Sequence, residues 1–238
     1  MKKTILAILI LLIGISIAQS QVMQVHLGAT IPSGNLADYN FDKAITGGYG
    51  CATVGFNAGV KLYSKLKVEN LSMVYSFNLY CNPMSKKYRD SIRASQTERE
   101  YTFPKYFNVP LMGGVNYTLP VSKGLMIYGE GSVGLNMFRP TKIRSITDNY
   151  DFQMKFHPKF GVGYAIEAGV VIQDKYTIGI NYTGLFSYNC KYDLNVAYSS
   201  ITIVDKGEFE TKLGVSLVTV TLGYRLFSGA AEKVKRVY

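Results

Sequence analysis

Few side chains in this sequence could do chemistry, and most are charged residues set one at a time among neutral neighbours. The only histidines are His26 and His157. A hydrolytic site needs a nucleophile and a base held together, and "FHPKF" offers no serine beside His157. His26 is read as an inward-facing residue of the first strand, and His157 as a residue of a connecting segment. Cys51, Cys81 and Cys190 have neither the close spacing nor the neighbouring histidine of a zinc site. The glycine-rich pieces "GGYG", "GEGSVG" and "GVGYA" do not open a helix after a strand, as phosphate-binding loops must. They are read as glycines where strands approach closely. No metal site, cofactor or catalytic residue is predicted, and the chain is read as non-enzymatic. Four charges remain: Lys61, Glu130, Glu167 and Arg225, each among small polar residues on the inner face of its strand.

Whether those four can meet depends on the elements that carry them. The composition favours strands, with 19 Tyr, 12 Phe and 23 Gly and no Trp. Hydrophobicity alternates with period two, and no 3.6-residue pattern persists long enough to predict a helix. Eight strands are predicted, approximately Val22 to Ile31, Cys51 to Tyr63, Glu69 to Cys81, Lys105 to Thr118, Gly124 to Phe138, Pro158 to Ile172, Tyr176 to Cys190 and Lys212 to Phe227. In the last of them Val218, Val220, Leu222, Tyr224 and Leu226 alternate with Thr219, Thr221, Gly223 and Arg225. In the third, Leu71, Met73, Tyr75, Phe77 and Leu79 alternate with Ser72, Val74, Ser76, Asn78 and Tyr80. One face is apolar throughout, and the other is mainly Gly, Ser, Asn and Thr with few charges.

The connections alternate between long ones (Pro32 to Gly50, Asn82 to Pro104, Arg139 to His157, Lys191 to Thr211) and the short turns "SKLKV", "LPVSK" and "QDK". Long loops at one end and tight turns at the other are the asymmetry of an outer-membrane barrel. Strands of about eleven residues, at roughly 3.4 Å per residue and a tilt near 40°, reach about 28 Å, enough for an apolar band of about 25 Å. Soluble sandwich strands are shorter and show Lys and Glu to solvent. Tyr117, Tyr176 and Tyr224 fall on the apolar face near the short-turn end. Phe77, Phe107, Phe160, Phe186 and Tyr188 fall on it near the long-loop end, so two aromatic girdles are predicted. The fold class is therefore all-β: one eight-stranded antiparallel up-and-down transmembrane β-barrel, with both termini on the periplasmic side.

The first residues, "MKKTILAILILLIGISIAQSQ", show a basic start, a short apolar run and small residues, which is the pattern of a secretory signal peptide cleaved after Ala18 or Ser20. The domain reading is 1–20 signal peptide, 21–227 barrel and 228–238 a short basic periplasmic tail. The formal charge of +10 falls to +8 when Lys2 and Lys3 leave with the leader. Export excludes nucleic acid as a partner. The excess is local, with six basic residues against three acidic between Pro83 and Lys105, and it points to solvated loops or to anionic lipid phosphates.

Three stretches carry a family resemblance: "VHLGATIPSGNLAD", "YFNVPLMGGVNYTL" followed by "LMIYGEGSVGLNMF", and the terminal "TLGYRLF". The mature chain resembles the Bacteroidetes-type outer-membrane β-barrel proteins often called PorT-like, related in architecture to the OmpA barrel. The resemblance implies an outer-membrane location in a Gram-negative bacterium and contact with outer-membrane lipid and possible envelope protein partners. The terminal Phe227 resembles the signal read by the barrel-insertion machinery.

An eight-stranded barrel is just wide enough for side chains to fill. The expected function is thus a non-enzymatic structural or interaction protein whose long loops contact lipid or envelope partners. The alternative is a narrow transport channel or an accessory component of a secretion apparatus, and a soluble periplasmic ligand-binding barrel is the third reading. Glu130 and Glu167 are expected at similar heights on adjacent strands, with Lys61 and Arg225 reaching up from below and His26 beside them. Together they would make an ionic, hydrogen-bonded lumen cluster. Cys51 and Cys81 are expected near one rim but on opposite faces, hence as free thiols.

Overall fold

A computed structural model describes residues 22–37, 50–95, 100–147, 149–188, 191–198, 201–208 and 213–227. The leader, the tail and Cys190 lie outside the described residues.

Eight strands close into an antiparallel barrel: β1 (Val22–Ser33), β2 (Gly55–Lys65), β3 (Leu71–Pro83), β5 (Lys105–Ser122), β6 (Leu125–Pro140), β9 (Lys159–Ile172), β10 (Tyr176–Tyr188) and β13 (Leu213–Phe227). Their order around the wall is β1-β13-β10-β9-β6-β5-β3-β2, and β2 returns to pair with β1. Each strand pairs with its barrel neighbour in the chain, and β13 closes on β1 from Val22↔Phe227 to Ser33↔Ser216. The fold is the predicted one. The starts and ends agree with the alternation to within a few residues. The largest shifts are four residues, at β2, which begins at Gly55 rather than Cys51, and at β5, which runs on to Ser122 rather than ending at Thr118.

The two faces sort by side-chain type. Leu27, Val133 and Phe160 are 67, 67 and 74 % exposed on the outer wall, within a belt that also includes Val25, Phe77, Leu135, Ile166, Ile180 and Leu222. An apolar belt on all sides far exceeds the few hundred Å² that a soluble monomer tolerates. It is a lipid-facing surface. Tyr117, Tyr176 and Tyr224 are exposed at its short-turn edge, where Tyr176 and Tyr224 meet edge to face at 5.5 Å. Phe77, Phe160 and Phe186 are exposed toward the other edge; the side chain of Tyr188 lies outside the described residues. The inner wall is buried Asn, Ser, Thr and Gly. Gly114 shows why glycine is needed there: a Cβ would lie 2.6 Å from Ser132 Cα, against the paired strand.

The long connections depart from expectation. Instead of plain loops, three of the four build a second sheet, ordered β12-β11-β8-β7-β4, from β4 (Glu100–Thr102), β7 (Ile143–Ile146), β8 (Tyr150–Phe156), β11 (Lys191–Tyr198) and β12 (Thr202–Glu208). The expectation of no helix is also corrected. Helix α1 (Lys86–Ser95) follows β3, burying Tyr88 against Cys51 and Met84 and stacking Arg93 over Phe103 at 5.3 Å. Ten residues give too few turns for a 3.6-residue period to stand out.

Where sheet meets barrel, an apolar core fills the mouth. Leu36, Tyr106, Phe138, Leu185, Val215 and Leu217 are buried together with Phe156 of β8, and Ile143, Met154 and Tyr192 of the sheet pack against them. The sheet is thus a packed continuation of the barrel. The same register explains its two faces. Tyr192↔Phe156, Leu194↔Met154 and Val196↔Phe152 pair on one side, and Asp193↔Lys155 on the other.

Candidate functional site in the barrel lumen

The site lies below the apolar mouth, built from strands on opposite walls. Lys61 projects inward from β2 because it shares parity with Asn57 and Gly59. The carboxylates come from β6 and β9, where Glu130 and Glu167 are direct register partners. Lys61 Nζ spans the lumen and donates to Glu130 Oε1 at 2.9 Å and to Glu167 Oε2 at 2.8 Å. All three side chains are almost fully buried, so each contact acts with little solvent screening.

The remaining lone pairs find donors. Tyr63 Oη donates to Glu130 Oε2 at 3.4 Å, Tyr128 Oη to Glu167 Oε1 at 2.7 Å, and Asn181 Nδ2 to Glu167 Oε2 at 3.2 Å. Thr183 Oγ1 donates to Asn181 Oδ1 at 2.6 Å, and Tyr80 adds a hydroxyl contact to Thr183. A buried ion pair persists only when its hydrogen-bonding capacity is filled in this way. Two negative charges against one positive still leave the group anionic when every member is ionised.

Of the four predicted members, three come together. Arg225 does not reach the glutamates: its guanidinium lies over the Tyr63 ring, 5.3 Å from the centroid, at the short-turn end. The reason is the register. Lys61 and Arg225 both flank Gln24 in one row, but Lys61 faces β9 directly across the barrel, whereas Tyr63 stands between Arg225 and the carboxylates. His26 is buried above, with Nε2 2.7 Å from Asn78 Oδ1. Tyr63, Tyr128 and Asn181 were not singled out in the sequence. Their inward parity was the available signal, but which inward residues share a height depends on the stagger of the barrel.

A cavity of about 10 Å³ is lined by His26, Asn57, Lys61, Asn78 and both glutamates. That is space on the order of one water. His26 Nδ1 and Asn57 Oδ1 are buried with no hydrogen-bond partner among the described residues.

His157 stands outside the barrel, its Nε2 2.9 Å from Asp193 Oδ2 on the half-exposed outer sheet. Nearby, Arg144 grips Asp151 through two bonds, Nε to Oδ1 at 3.1 Å and Nη2 to Oδ2 at 2.7 Å. Hydrogen bonding from that guanidinium holds the Asp151 carboxyl below the usual range. In α1, burial pushes the Tyr88 phenol up to about 12. Cys51 and Cys81 are buried and not bridged to one another. Cys51 precedes β2, with φ of 48°, and packs under α1 rather than pointing into the lumen.

No protein-family model matches the sequence, and no curated protein matches it. Solved structures do. A major outer membrane protein from Thermus thermophilus is 12% identical at a TM-score of 0.51, over 86% of this chain and 98% of that one. Neisserial surface protein A is 9% identical at 0.44, over 87% and 96%. Ail, the attachment invasion locus protein of Yersinia pestis, is 12% identical at 0.41, over 87% and 99%. At such identities the likeness is one of fold, and the fold is that of an outer-membrane β-barrel.

Proposed function

We propose that this is a non-enzymatic integral outer-membrane protein, a sealed barrel that anchors an outward-facing five-stranded sheet for contact with envelope or external partners. The carrying observation is the apolar core at the mouth. It fills the lumen with Leu36, Phe138 and Leu217, none of them exposed, and locks the sheet to the barrel through Phe156. A transport route would leave that level open. Below it the Lys61–Glu130–Glu167 group supports the wall, crossing the lumen like a strut. The leader pattern, the short turns and the strand motifs that resemble PorT-like barrels support a Bacteroidetes-type outer membrane, with the sheet on the cell exterior.

A second reading, a narrow channel or accessory part of a secretion apparatus, is favoured by the polar lower lumen and its unsatisfied His26 Nδ1 and Asn57 Oδ1. Planar-bilayer recording separates the two. The sealed anchor gives no stepwise conductance as wild type, and Phe138→Ala introduces transient openings. Steady wild-type steps would establish a channel instead.

A further inference from the structure

Among the described residues, the barrel strands carry only two acids, Glu130 and Glu167, both inward. On the lipid-facing parity they carry only two charges of any kind, Lys105 and Arg139. Both are exposed, both are cationic, and they are neighbours. Arg139 is the register partner of Phe107, and Lys105 is two residues farther along β5, with Phe107 on its own face. Diagonal pairs of this kind have Cα atoms about 7 to 8 Å apart. Like charges so placed repel, and an arrangement that costs energy in isolation is relieved by an anion between them.

Their height says which anion. Tyr117 marks the short-turn girdle on the outer face of β5, and Lys105 lies twelve residues above it. At roughly 3.4 Å per residue and a tilt near 40°, that is about 31 Å, just beyond a hydrocarbon band of about 25 to 30 Å. Directly below are Phe107, Leu135 and Phe160, an apolar surface for acyl chains. The first turn of α1 brings Lys86 and Lys87 after Pro83, the partner of Lys105, and adds to the positive field.

We propose that Lys105 and Arg139 form a binding site for the phosphate of a membrane lipid, whose acyl chains lie along Phe107 and Phe160. The guanidinium offers a two-pronged donor to phosphate oxygens, and the ammonium a point charge beside it. The site rests on the lipid-facing belt and not on the sealed lumen, so it stands or falls separately from the conductance experiment.

The test uses the full chain in phosphatidylcholine nanodiscs with and without phosphatidic acid. Lipid retained on the protein is measured by native mass spectrometry. A juxtamembrane cation contributes enough for a roughly five-fold preference. Lys105→Gln with Arg139→Gln is therefore expected to cut phosphatidic acid retention roughly twenty-fold, while Lys155→Gln with Lys191→Gln, exposed on the outer sheet rather than on the lipid-facing belt, leaves it unchanged. Circular dichroism confirms that both pairs fold. Competition by inorganic phosphate at concentrations comparable to the lipid would show a headgroup-only anion site without the acyl groove and overturn the lipid assignment. Retention that is equal in both pairs, or unaffected in the rim pair, would overturn the site itself.

Discussion

Removing the Lys61 ammonium is expected to destabilise the barrel more than removing either carboxylate it holds. At an effective dielectric near 20, contacts of 2.9 and 2.8 Å are each worth about 6 kcal/mol of attraction. The two carboxylate oxygens that share Nζ can lie no farther apart than those two lengths laid end to end, so their repulsion is at least about 3 kcal/mol. Desolvation consumes most of the gross attraction, and breaking a buried pair from one side costs about 3 to 5 kcal/mol net. Lys61→Met leaves both acids facing each other and should fall in that range. Glu130→Gln keeps the Lys61–Glu167 pair and relieves the repulsion, so its cost should stay within about 2 kcal/mol. The triple change Lys61→Met, Glu130→Gln, Glu167→Gln removes all three charges and should be more stable than Lys61→Met alone. Urea unfolding in lipid vesicles, followed by tyrosine fluorescence and gel mobility, gives these values. If Lys61→Met unfolds with wild type, or the triple variant is the weakest, the group does not act as a strut.

Three other outcomes follow from particular contacts. Gly114→Val should hinder closure of β5 on β6 by roughly 1 to 3 kcal/mol or more, since the added carbons meet Ser132 backbone, and unheated gels should show less folded barrel. Phe138→Ala should cost about 3 to 5 kcal/mol by opening a cavity in the fully buried mouth, read by the same urea titration. The Asp151 carboxyl is lowered in the folded state, so its bond to Arg144 contributes fully above the unfolded value near 4 and is lost as pH falls through the lowered one. Hydrogen exchange in the hairpin Ile143–Phe156 should accelerate over that acidic window in wild type and show no such step in Asp151→Asn.

The alternation of residues such as Leu71 to Tyr80 made the barrel legible, because a period-two pattern over more than ten residues has few other solutions. Turn lengths then ordered the strands. The outer sheet was harder to see. "YDFQMKF" alternates just as well, with Phe152, Met154 and Phe156 on one side, but over too few residues to separate a strand from a loop. The mouth core was missed for a different reason. Phe138 and Leu217 sit on the inward parity where small polar residues prevail, and nothing local says that the lumen changes from polar to apolar partway up. Lys61 and the two glutamates were legible as inward charges. Arg225 shares their parity, but its separation from them depends on how the strands stagger around the wall and on the Tyr63 ring between.

A nitroxide scan along β9, one cysteine at a time from Phe160 to Ile172 in lipid vesicles with Cys51, Cys81 and Cys190 replaced, tests the central claim most directly. Positions 160, 162, 164 and 166 should relax with lipid-dissolved oxygen and not with a water-soluble nickel reagent, while 161, 163, 165 and 167 should be shielded from both. High nickel accessibility at the even positions, or at the odd ones, would contradict a sealed barrel embedded in lipid.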